Sequence, residues 1–290
     1  MSEPIVALLY DFDRTLSTQD MQNYRFIPSL DMDPSEFWGC ANDFAQENKM
    51  DGILAYMYTM IRLAKEKGVV FDRETLVKMG KNIEFFKGVP TWFSRINDFG
   101  RTKGVIVEHY IISSGLKEIL EGCAIRDCFK EIFACEFLYD EEGNPVWPKV
   151  SVNYTNKTQF IYRINKGVLD ISDDKRLNAS MPDNDKRVRF SNMIYLGDGL
   201  SDVPCMKMVK AYGGKSIAVY DPAIRENEEK FSKVADLLLK DRVDFVLPAD
   251  YSAGKPLETT VRNIISSMAA DDILDAESTR QRGMLSGRKV

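Results

Sequence analysis

Residues 5–15 read IVALLYDFDRT, in which six mainly apolar residues run directly into two carboxylates and a hydroxyl group. The apolar run predicts a buried strand, so Asp11, Asp13 and Thr15 would stand at its end. A buried carboxylate without a partner costs several kcal/mol, and two like charges one residue apart favour a bound metal ion or a raised pKa. The simplest explanation of this placement is an active site.

The composition is that of a globular protein without a surface for nucleic acid. The 290 residues are 44% apolar and 11% aromatic, which is enough for a substantial core. The net charge is −5, and no basic stripe alternates with aromatic residues, so a nucleic-acid partner is not expected. A small anionic substrate would therefore need a local positive group.

The amino terminus and the cysteines suggest a cytoplasmic protein. The first residues, MSEP, lack the basic and apolar regions of a secretory signal, and no apolar run is long enough to cross a bilayer, so no membrane partner is expected. Five cysteines with no CxxC pair argue against a disulfide framework and a zinc ribbon. Because His109 is the single histidine, the chemistry must rest on Asp, Lys, Ser and Thr.

Residues 17–88 carry helical patterns. The stretch Asp33-Pro34-Ser35-Glu36 combines an N-cap residue, a proline at the first helical position and an acid at the third, which is a strong helix start. Further along, apolar residues recur every three or four positions, a pattern typical of an amphipathic helix. The segment is therefore predicted to be all-helical. Its predicted helices are 34–47, Met50 to Lys67, and the stretch from the cap Asp72 to about Met79.

After Gly88, strands and helices alternate. Such alternation predicts a mainly parallel sheet covered by helices on both faces, a Rossmann-like α/β fold. Residues 137–147 predict a β-hairpin around Gly143 and Asn144. The other predicted strands are 105–112, 131–134, 193–196 and 216–219, and the predicted helices are 91–97, 116–122, 158–165 and 203–209.

These patterns predict one α/β core with an inserted helical domain. Residues 1–16 and 89–270 would form the core, and residues 17–88 the helical insert. The polar, charge-mixed residues 170–189 are expected to be a surface loop. Residues 271–290 are expected to be a flexible tail.

Ligands of open parallel sheets bind at the carboxyl ends of the strands, so polar residues that follow an apolar run are candidate site residues. Ser114 and Gly115 follow one predicted strand, and Asp198 and Asp202 follow another. Two carboxylates about 4 Å apart repel by roughly 4 kcal/mol at an effective dielectric constant near 20, so a pocket of several carboxylates needs a cation. Oxygen ligands without His or Cys favour Mg²⁺.

A phosphate beside that ion would bring further negative charge. Lys157, the Ser114 hydroxyl and the backbone N–H groups around Gly115 could offset it. Lys157 opens a predicted helix, and the alternatives for its position are Lys149, Lys166 and Lys186. The constellation predicts a phosphoryl-transfer site.

Four motifs occur in order along the predicted core: DFDRTLS, IISSG, a lysine that opens a helix, and GDGLSD. In this order they resemble the motifs of the haloacid dehalogenase (HAD) superfamily of phosphatases with an aspartate nucleophile. The helical insert between the first two motifs is similar to the small helical cap of phosphoserine phosphatase and its relatives. The resemblance thus implies a HAD core with an inserted helical cap.

The resemblance also implies roles for individual residues. Asp11 would attack phosphorus and form an aspartyl-phosphate, and Asp13 would protonate the leaving oxygen and then activate water. The phosphate-binding residues would be Thr15, Ser114, Gly115 and Lys157. The Mg²⁺ site would consist of Asp11, the main-chain carbonyl of Asp13 and Asp198, with Asp202 orienting the ligands or waters of the metal.

The implied substrate is a small phosphorylated metabolite. Asp20 stands seven positions after Asp13, where phosphoserine phosphatases carry an acid for the substrate amine, so an amino-bearing phosphate is favoured. Arg62 is the cap candidate for a substrate carboxylate, and Arg14 is a further candidate substrate-binding residue that the family pattern does not explain. The alternatives are a pyrimidine-type 5′-nucleotidase with the same mechanism and a catalytically silent binding protein, and either a monomer or a homodimer would fit. The aromatic residues of the insert that would wall the substrate, or belong to the insert's core, are Tyr24, Phe26, Tyr56 and Tyr58.

Overall fold

The computed structural model describes residues 3–286, and within them seven strands form one sheet. The strands are β1 (Ile5–Tyr10), β2 (Ile106–Leu116), β3 (Glu131–Tyr139), β4 (Pro145–Val150), β5 (Met193–Gly197), β6 (Lys215–Tyr220) and β7 (Phe245–Pro248). Their order is β4-β3-β2-β1-β5-β6-β7, and neighbouring strands are parallel except β3 and β4. The predicted parallel sheet is therefore confirmed, and the β3–β4 pair is the predicted hairpin.

Helices connect the strands and pack against the sheet. They are α1 (Phe26–Ser29), α2 (Pro34–Glu47), α3 (Gly52–Lys67), α4 (Arg73–Met79), α5 (Val89–Thr102), α6 (Lys117–Glu121), α7 (Lys157–Lys166), α8 (Asp174–Asn178), α9 (Val203–Ala211), α10 (Glu228–Leu239) and α11 (Pro256–Ser286). Helix α5 packs against β2, and α9 packs against β5 and β6. The α/β fold class is confirmed. None of the helices in residues 3–286 combines the length and the apolar composition that a bilayer span requires.

Strand β1 is buried because it lies in the centre of the sheet. Its residues from Val6 to Tyr10 are fully buried, and it pairs with β2 on one side and β5 on the other. Burial of each large apolar side chain stabilises the fold by roughly 1.5–3 kcal/mol. A continuous apolar run is what a strand covered on both faces requires, and it brings the acids that follow to the carboxyl edge of the sheet.

Residues 17–88 contain α1 to α4, of which α2, α3 and α4 correspond to the three predicted helices and α1 was not predicted. Asp33 and Glu36 form the predicted capping box of α2, in which the Asp33 N–H donates to Glu36 Oε2 over 2.9 Å. Asp51 caps α3, Gly68 ends this helix at φ 65°, and Asp72 caps α4. Local sequence signals therefore set the boundaries of these helices.

The division into a core of residues 1–16 and 89–270 and a cap of residues 17–88 stays a prediction. Ser17 and Phe85 form an antiparallel bridge where the helical segment leaves and rejoins the core. Beside this bridge, the Phe86 N–H donates to the Leu16 carbonyl over 3.0 Å. The chain thus enters and leaves the segment at neighbouring points, as an insert requires.

The carboxyl-terminal region differs most from the sequence analysis, which did not predict α10, β7 or α11. Residues 271–286 were expected to be a flexible tail, but they are the end of helix α11, so that prediction was wrong for them. The prediction rested on the polar composition of these residues, which does not reveal contacts with distant parts of the chain. Arg189 pairs with Asp272 and Asp275, and the Asn192 amide donates to Asp272 over 2.8 Å. These contacts hold the helix to the sheet. Residues 287–290 of the expected tail lie outside the described residues.

Part of the expected surface loop at residues 170–189 is ordered around one buried arginine. The Arg163 guanidinium donates to the carbonyls of Asp170 and Ile171 over 2.7 and 2.8 Å and to the Asp174 carboxylate over 2.8 Å. Asp174 begins the short helix α8. The segment is therefore polar and peripheral, as expected, but it is not structureless.

Two glycines let the end of the helical segment approach α6 closely. A Cβ atom at Gly122 would overlap the main-chain carbonyl of Val77 in α4, and one at Gly80 would overlap the carbonyl of Ile119 in α6. Because the obstructing atoms are backbone, they cannot rotate away. Glycine is therefore required at both positions for this packing.

We expect Gly122→Ala to lower the free energy of unfolding by about 1–3 kcal/mol, since the added methyl group forces the two backbones apart. Denaturant unfolding would measure the change. Gly39→Ala is the matched control, because Gly39 lies inside α2 with nothing within 4 Å of its Cβ direction. The control should leave stability unchanged or raise it by up to about 1 kcal/mol. Equal stability of Gly122→Ala and wild type would contradict this account of the contact.

Candidate active site

The ends of β1 and β5 bring three carboxylates together. The strands are parallel neighbours, and the Asp11 N–H donates to the Leu196 carbonyl over 2.9 Å. Asp198 and Asp202 follow β5, and one carboxylate oxygen from each of Asp11, Asp198 and Asp202 lies within 4.8 Å of the others. The strand-end rule therefore placed these acids in one cluster correctly.

Lys157, the first residue of α7, lies inside this cluster. Its ammonium group donates to Asp11 Oδ1 over 2.7 Å and to Asp202 Oδ1 over 2.8 Å, and its side chain is 1% exposed. Burial alone would lower the pKa of Lys157, but Asp11 and Asp202 raise it well above its ordinary value. The lysine is therefore a fixed positive charge. The alternative lysines lie elsewhere: Lys149 pairs with Glu136, Lys186 pairs with Asp183, and Lys166 donates to the carbonyls of Leu177 and Ala179.

One ammonium does not balance the carboxylates around it. Burial raises the pKa of Asp11 to about 6, with Asp202 adding to the effect and Lys157 opposing it. Burial and then the charge of Asp11 raise the pKa of Asp198 well above its ordinary value. Burial also raises the pKa of Asp13, helped by Asp20 and Asp11. The cluster therefore has an excess of negative charge that a bound cation would relieve.

Two buried oxygen atoms in this region lack partners. Asp202 Oδ2 and the Ser114 hydroxyl oxygen are shielded from solvent and form no hydrogen bond with any residue in the described part of the chain. Such atoms cost roughly 1–3 kcal/mol each until a ligand satisfies them. A hard cation at the carboxylates and an anion at Ser114 would supply the missing partners, so the residues fit Mg²⁺ and a phosphate.

Thr15 and Gly115 are close to the cluster, but only Thr15 contacts one of its carboxylates. The Thr15 hydroxyl donates to Asp11 Oδ2 over 3.5 Å. The Gly115 N–H donates to Ser113 Oγ over 3.0 Å, so it is already satisfied and the expectation that it binds phosphate is not supported. A Cβ at Gly115 would overlap the far end of the Met21 side chain and lie 3.1 Å from Asp13 Oδ2, so a larger residue there would require Met21 to move. The register of β2 against β3 also shifts between Ile112 and Leu116, a local irregularity that the sequence did not predict.

The cluster opens into a cavity of about 330 Å³ between the core and the helical segment. Most of its charged residues, including Asp11, Lys157 and Asp198, come from strand ends and α7, whereas the helical segment contributes Asp20, Gln22, Trp38, Ile53 and Tyr56. The Tyr56 hydroxyl reaches across and donates to the Ser114 carbonyl over 2.6 Å. The residues that line the cavity are Asp11, Asp13, Arg14, Asp20, Gln22, Trp38, Ile53, Tyr56, Ser114, Tyr154, Lys157, Asp198 and Ser201.

The residues expected to bind the substrate are only partly at this cavity. Arg14 and Asp20 line it but pair with each other: Arg14 Nε donates to Asp20 Oδ1 over 3.2 Å, and a terminal nitrogen of Arg14 donates to Oδ2 over 2.9 Å. Arg62 is not among the described residues that line the cavity, and it pairs with Glu66 one turn along α3. The structure therefore does not bring Arg62 to the cavity, and its contact with a substrate carboxylate stays a prediction without support here.

The aromatic residues of the insert divide between cavity and core. Tyr56 lines the cavity, whereas Phe26 is fully buried in the core cluster. Tyr24 donates to the Glu84 carbonyl over 3.0 Å, and Tyr58 stacks on Phe44 at the surface. Helical spacing alone could not separate these environments.

Tyr195 is a site residue that the sequence analysis missed. It lies in β5 and is fully buried, and its hydroxyl donates to Asp202 Oδ1 over 2.8 Å. Asp202 Oδ1 is thus fixed by Tyr195 and Lys157 together. The signal in the sequence was one hydroxyl-bearing residue within an otherwise aliphatic strand. Gln22 and Trp38 were also missed, since neither belongs to a recognised motif.

We expect Mg²⁺ to stabilise the wild-type protein and Asp198→Asn to remove that stabilisation. Saturation to a hundred times the dissociation constant stabilises by about 2.7 kcal/mol. Without Mg²⁺, Asp198→Asn should melt at the same temperature as wild type or higher, because it removes one of the repelling charges. Thermal melts with and without Mg²⁺ measure both effects. The control Asp43→Asn, an exposed acid in α2, should respond to Mg²⁺ as wild type does. An unchanged Mg²⁺ response in Asp198→Asn would contradict the proposed ligand.

We expect Tyr195→Phe to weaken Mg²⁺ binding by about 10- to 100-fold, the usual effect of removing a hydrogen bond that orients a metal ligand. Isothermal titration calorimetry would measure the dissociation constant. Tyr110→Phe is the matched control, because Tyr110 is also a fully buried strand residue whose hydroxyl donates to a carboxylate, that of Glu108. If both variants bound Mg²⁺ as wild type does, Tyr195 would have no orienting role.

Comparison with known proteins supports the fold. No family model matches the sequence. An uncharacterized protein of Borreliella burgdorferi is 27% identical over 282 residues, which cover 88% of this chain and 94% of that protein. The crystal structure of a HAD family hydrolase from Salmonella enterica serovar Typhi has a TM-score of 0.50 at 20% identity, covering 78% of this chain and 66% of that one. A probable phosphoserine phosphatase from Vibrio cholerae has a TM-score of 0.51 at 11% identity, covering 93% of this chain and 67% of that one. The chain spans about two thirds of the length of these two solved proteins, and its fold is similar to that of the HAD family hydrolase and of the probable phosphoserine phosphatase.

Proposed function

We propose that this chain is a Mg²⁺-dependent phosphomonoester hydrolase that acts on a small metabolite through an aspartyl-phosphate intermediate. The observation that carries the proposal is the position of the Asp11 carboxylate. It lies at the charged end of a cavity, beside a buried ammonium, two further carboxylates and an unpartnered serine hydroxyl. Few reactions need a nucleophilic carboxylate, a cation site and anion-binding groups within one small volume. The enzyme would work in the cytoplasm as a monomer or homodimer.

Mg²⁺ would be held by carboxylate oxygens of Asp11, Asp198 and Asp202 and by the main-chain carbonyl of Asp13. The fit rests on the donor set, which is all oxygen, and on the unpartnered Asp202 Oδ2 among the described residues. When bound, Mg²⁺ would neutralise phosphate oxygens and make the phosphorus a better electrophile. Tyr195 and Lys157 would keep Asp202 in place for this purpose.

Asp11 would act as the nucleophile. Its carboxylate oxygen would form a bond to phosphorus while the bond from phosphorus to the ester oxygen breaks, and this gives an aspartyl-phosphate. Lys157 and Thr15 already contact this carboxylate, at Oδ1 and Oδ2, and would hold it in line for attack. Lys157 and the Ser114 hydroxyl would bind the phosphate oxygens.

Asp13 would transfer the protons. Burial and neighbouring acids raise its pKa, so the carboxyl group can hold a proton for the leaving oxygen. After the alcohol departs, the same carboxylate would accept a proton from the water that attacks the aspartyl-phosphate. Inorganic phosphate is released and Asp11 is regenerated. The Met21 N–H donates to Asp13 Oδ1 over 2.8 Å and would fix the orientation of the group.

A pyrimidine-type 5′-nucleotidase with the same chemistry is the second candidate. Trp38 and Tyr56 favour it, because they present aromatic surface to the cavity where the leaving group would lie. A silent binding protein is disfavoured, because such a protein has no need of a protonatable Asp13 beside Asp11. An amino-bearing substrate is disfavoured by the Arg14–Asp20 pair, which occupies the carboxylate expected to meet the amine.

We expect Asp11→Asn to reduce hydrolysis of p-nitrophenyl phosphate to the background rate, since the amide cannot attack phosphorus. Asp13→Asn should slow turnover by about 10²- to 10⁴-fold, the usual contribution of an acid–base group. Asp13→Asn should also accumulate phosphoenzyme with this substrate, because a good leaving group needs little protonation whereas the water step still needs the base. Steady-state rates and mass spectrometry of acid-quenched enzyme measure these effects.

The control is Asp43→Asn, which should behave as wild type in both assays. BeF₃⁻ with Mg²⁺ should stabilise the wild type against thermal unfolding and leave Asp11→Asn unaffected. Full activity of Asp11→Asn would sink the nucleophile assignment. Phosphoenzyme that forms on Asp11→Asn would place the nucleophile at another residue.

A further inference from the structure

We infer that the leaving group of the substrate is an uncharged, flat ring with an amide-like edge, and that Gln22 recognises this edge. The inference rests on the proposed phosphomonoesterase function and specifies its substrate class. It excludes amino-acid phosphates as the preferred substrates. Four features of the cavity carry it: the Gln22 amide, the two fixed aromatic rings, the internal neutralisation of Asp20, and the size of the space.

Gln22 is a buried amide without a partner. It is 2% exposed and lines the cavity, and its Oε1 forms no hydrogen bond with any residue of the described chain. An unsatisfied buried oxygen costs roughly 1–3 kcal/mol, which a ligand N–H or O–H would recover. A carboxamide carries both an acceptor and a donor, so its natural complement is an edge that offers a donor next to an acceptor. An amide or lactam edge has this arrangement.

Trp38 and Tyr56 provide aromatic surface whose polar tips are already occupied. Trp38 Nε1 donates to Asn23 Oδ1 over 3.3 Å, and the Tyr56 hydroxyl donates to the Ser114 carbonyl over 2.6 Å. The two ring centroids are 5.7 Å apart at an interplanar angle of 65°. Because both tips are engaged, the rings offer the cavity their carbon surface. Fixed aromatic surfaces favour a flat, apolar-bodied ligand.

Asp20 is neutralised from within the chain. Both of its carboxylate oxygens accept from Arg14, which lies between Asp13 and Thr15 and also lines the cavity. A substrate ammonium that approached Asp20 would therefore meet a guanidinium beside it. Arg14 is likewise engaged and offers little to a substrate carboxylate. The pair thus leaves neither a free carboxylate for a substrate amine nor a free guanidinium for a substrate carboxylate.

The remaining charges of the lining belong to the phosphate end. They are Asp11, Asp13, Lys157 and Asp198, and the proposed chemistry uses all of them. The cavity, at about 330 Å³, is at the lower end of the range of roughly 300–1,000 Å³ typical of small-molecule sites. The space therefore suits a phosphomonoester with one aromatic ring. Such a ring can be joined to the phosphate through a ribose or through a single methylene group.

The experiment is a comparison of kcat/KM over five phosphate esters, with wild type and Gln22→Leu. A pyrimidine nucleoside 5′-monophosphate and an amino-substituted hydroxymethylpyrimidine phosphate carry the amide-like edge and differ in the linker. Ribose 5-phosphate lacks an aromatic ring, and p-nitrophenyl phosphate has a flat aromatic ring without an amide-like edge. Phosphoserine is zwitterionic. Gln19→Leu is the matched control, because Gln19 is exposed three positions away.

We expect wild type to favour at least one of the two edge-bearing esters over ribose 5-phosphate and phosphoserine by at least about tenfold. Gln22→Leu should lower kcat/KM for that ester by about ten- to a hundredfold, and by at least tenfold more than for p-nitrophenyl phosphate. Gln19→Leu should match wild type throughout. The preferred ester of the two identifies the linker. Arg14→Asn, a residue that tolerates the positive φ of 57° found there, should raise the relative activity toward phosphoserine.

Two results would overturn the inference while leaving the proposed function intact. One is p-nitrophenyl phosphate turnover with phosphoserine or ribose 5-phosphate preferred to both edge-bearing esters. The other is an equal loss in Gln22→Leu for all substrates, which would mark Gln22 as merely structural. Absence of turnover and of phosphoenzyme in wild type with every ester would instead refute the proposed function itself, and this inference with it.

Discussion

The buried ion pairs of Lys157 with Asp11 and Asp202 are the contacts on which the rest of this site depends. They join three distant parts of the chain: the end of β1, the start of α7 and the turn after β5. A buried charge that loses its partner costs several kcal/mol, so the three elements are held in one relative position. The central position of β1 in the sheet is also needed for these ion pairs, because it places Asp11 beside the end of β5. The charge cluster therefore forms only if β1 and β5 are parallel neighbours in the sheet.

The cluster is stable only as part of a larger set of partners. Lys157 balances one carboxylate, yet the pKa values of Asp11, Asp13 and Asp198 are all raised, first by burial and then by neighbouring acids. Such an arrangement is unfavourable for folding alone and favourable for binding a cation and then a phosphate. The repelling carboxylates thus lower the stability of the folded protein, and a bound cation would restore it. Asp202 Oδ2 and the Ser114 hydroxyl oxygen, which lack partners among the described residues, would likewise gain hydrogen bonds or metal contacts from a ligand.

Much of this site could be predicted because strand ends and helix caps are local signals. The run before Asp11, the capping box at Asp33 and the glycine that ends α3 each determine structure within a few residues. The contacts that were missed depend on distant residues: Tyr195 is recognisable only once Asp202 lies beside it, and Gly115 only once Ser113 has taken its N–H. The end of α11 was misjudged for the same reason, since its anchor is Arg189, far away in the sequence.

Arg14, between Asp13 and Thr15, would link the proposed catalytic residues to the choice of substrate. Its left-handed backbone, at φ 57°, is unusual for an arginine and costs roughly 1–2 kcal/mol, so the surrounding structure must impose it. That backbone carries the guanidinium to Asp20, where it cancels the charge that would have attracted an amine. The fold and the motifs describe the chemistry at phosphorus, which many proteins of one fold share. The choice of substrate would depend instead on the residues around that site, and here they are an arginine paired with Asp20, two aromatic rings and an amide oxygen without a partner among the described residues.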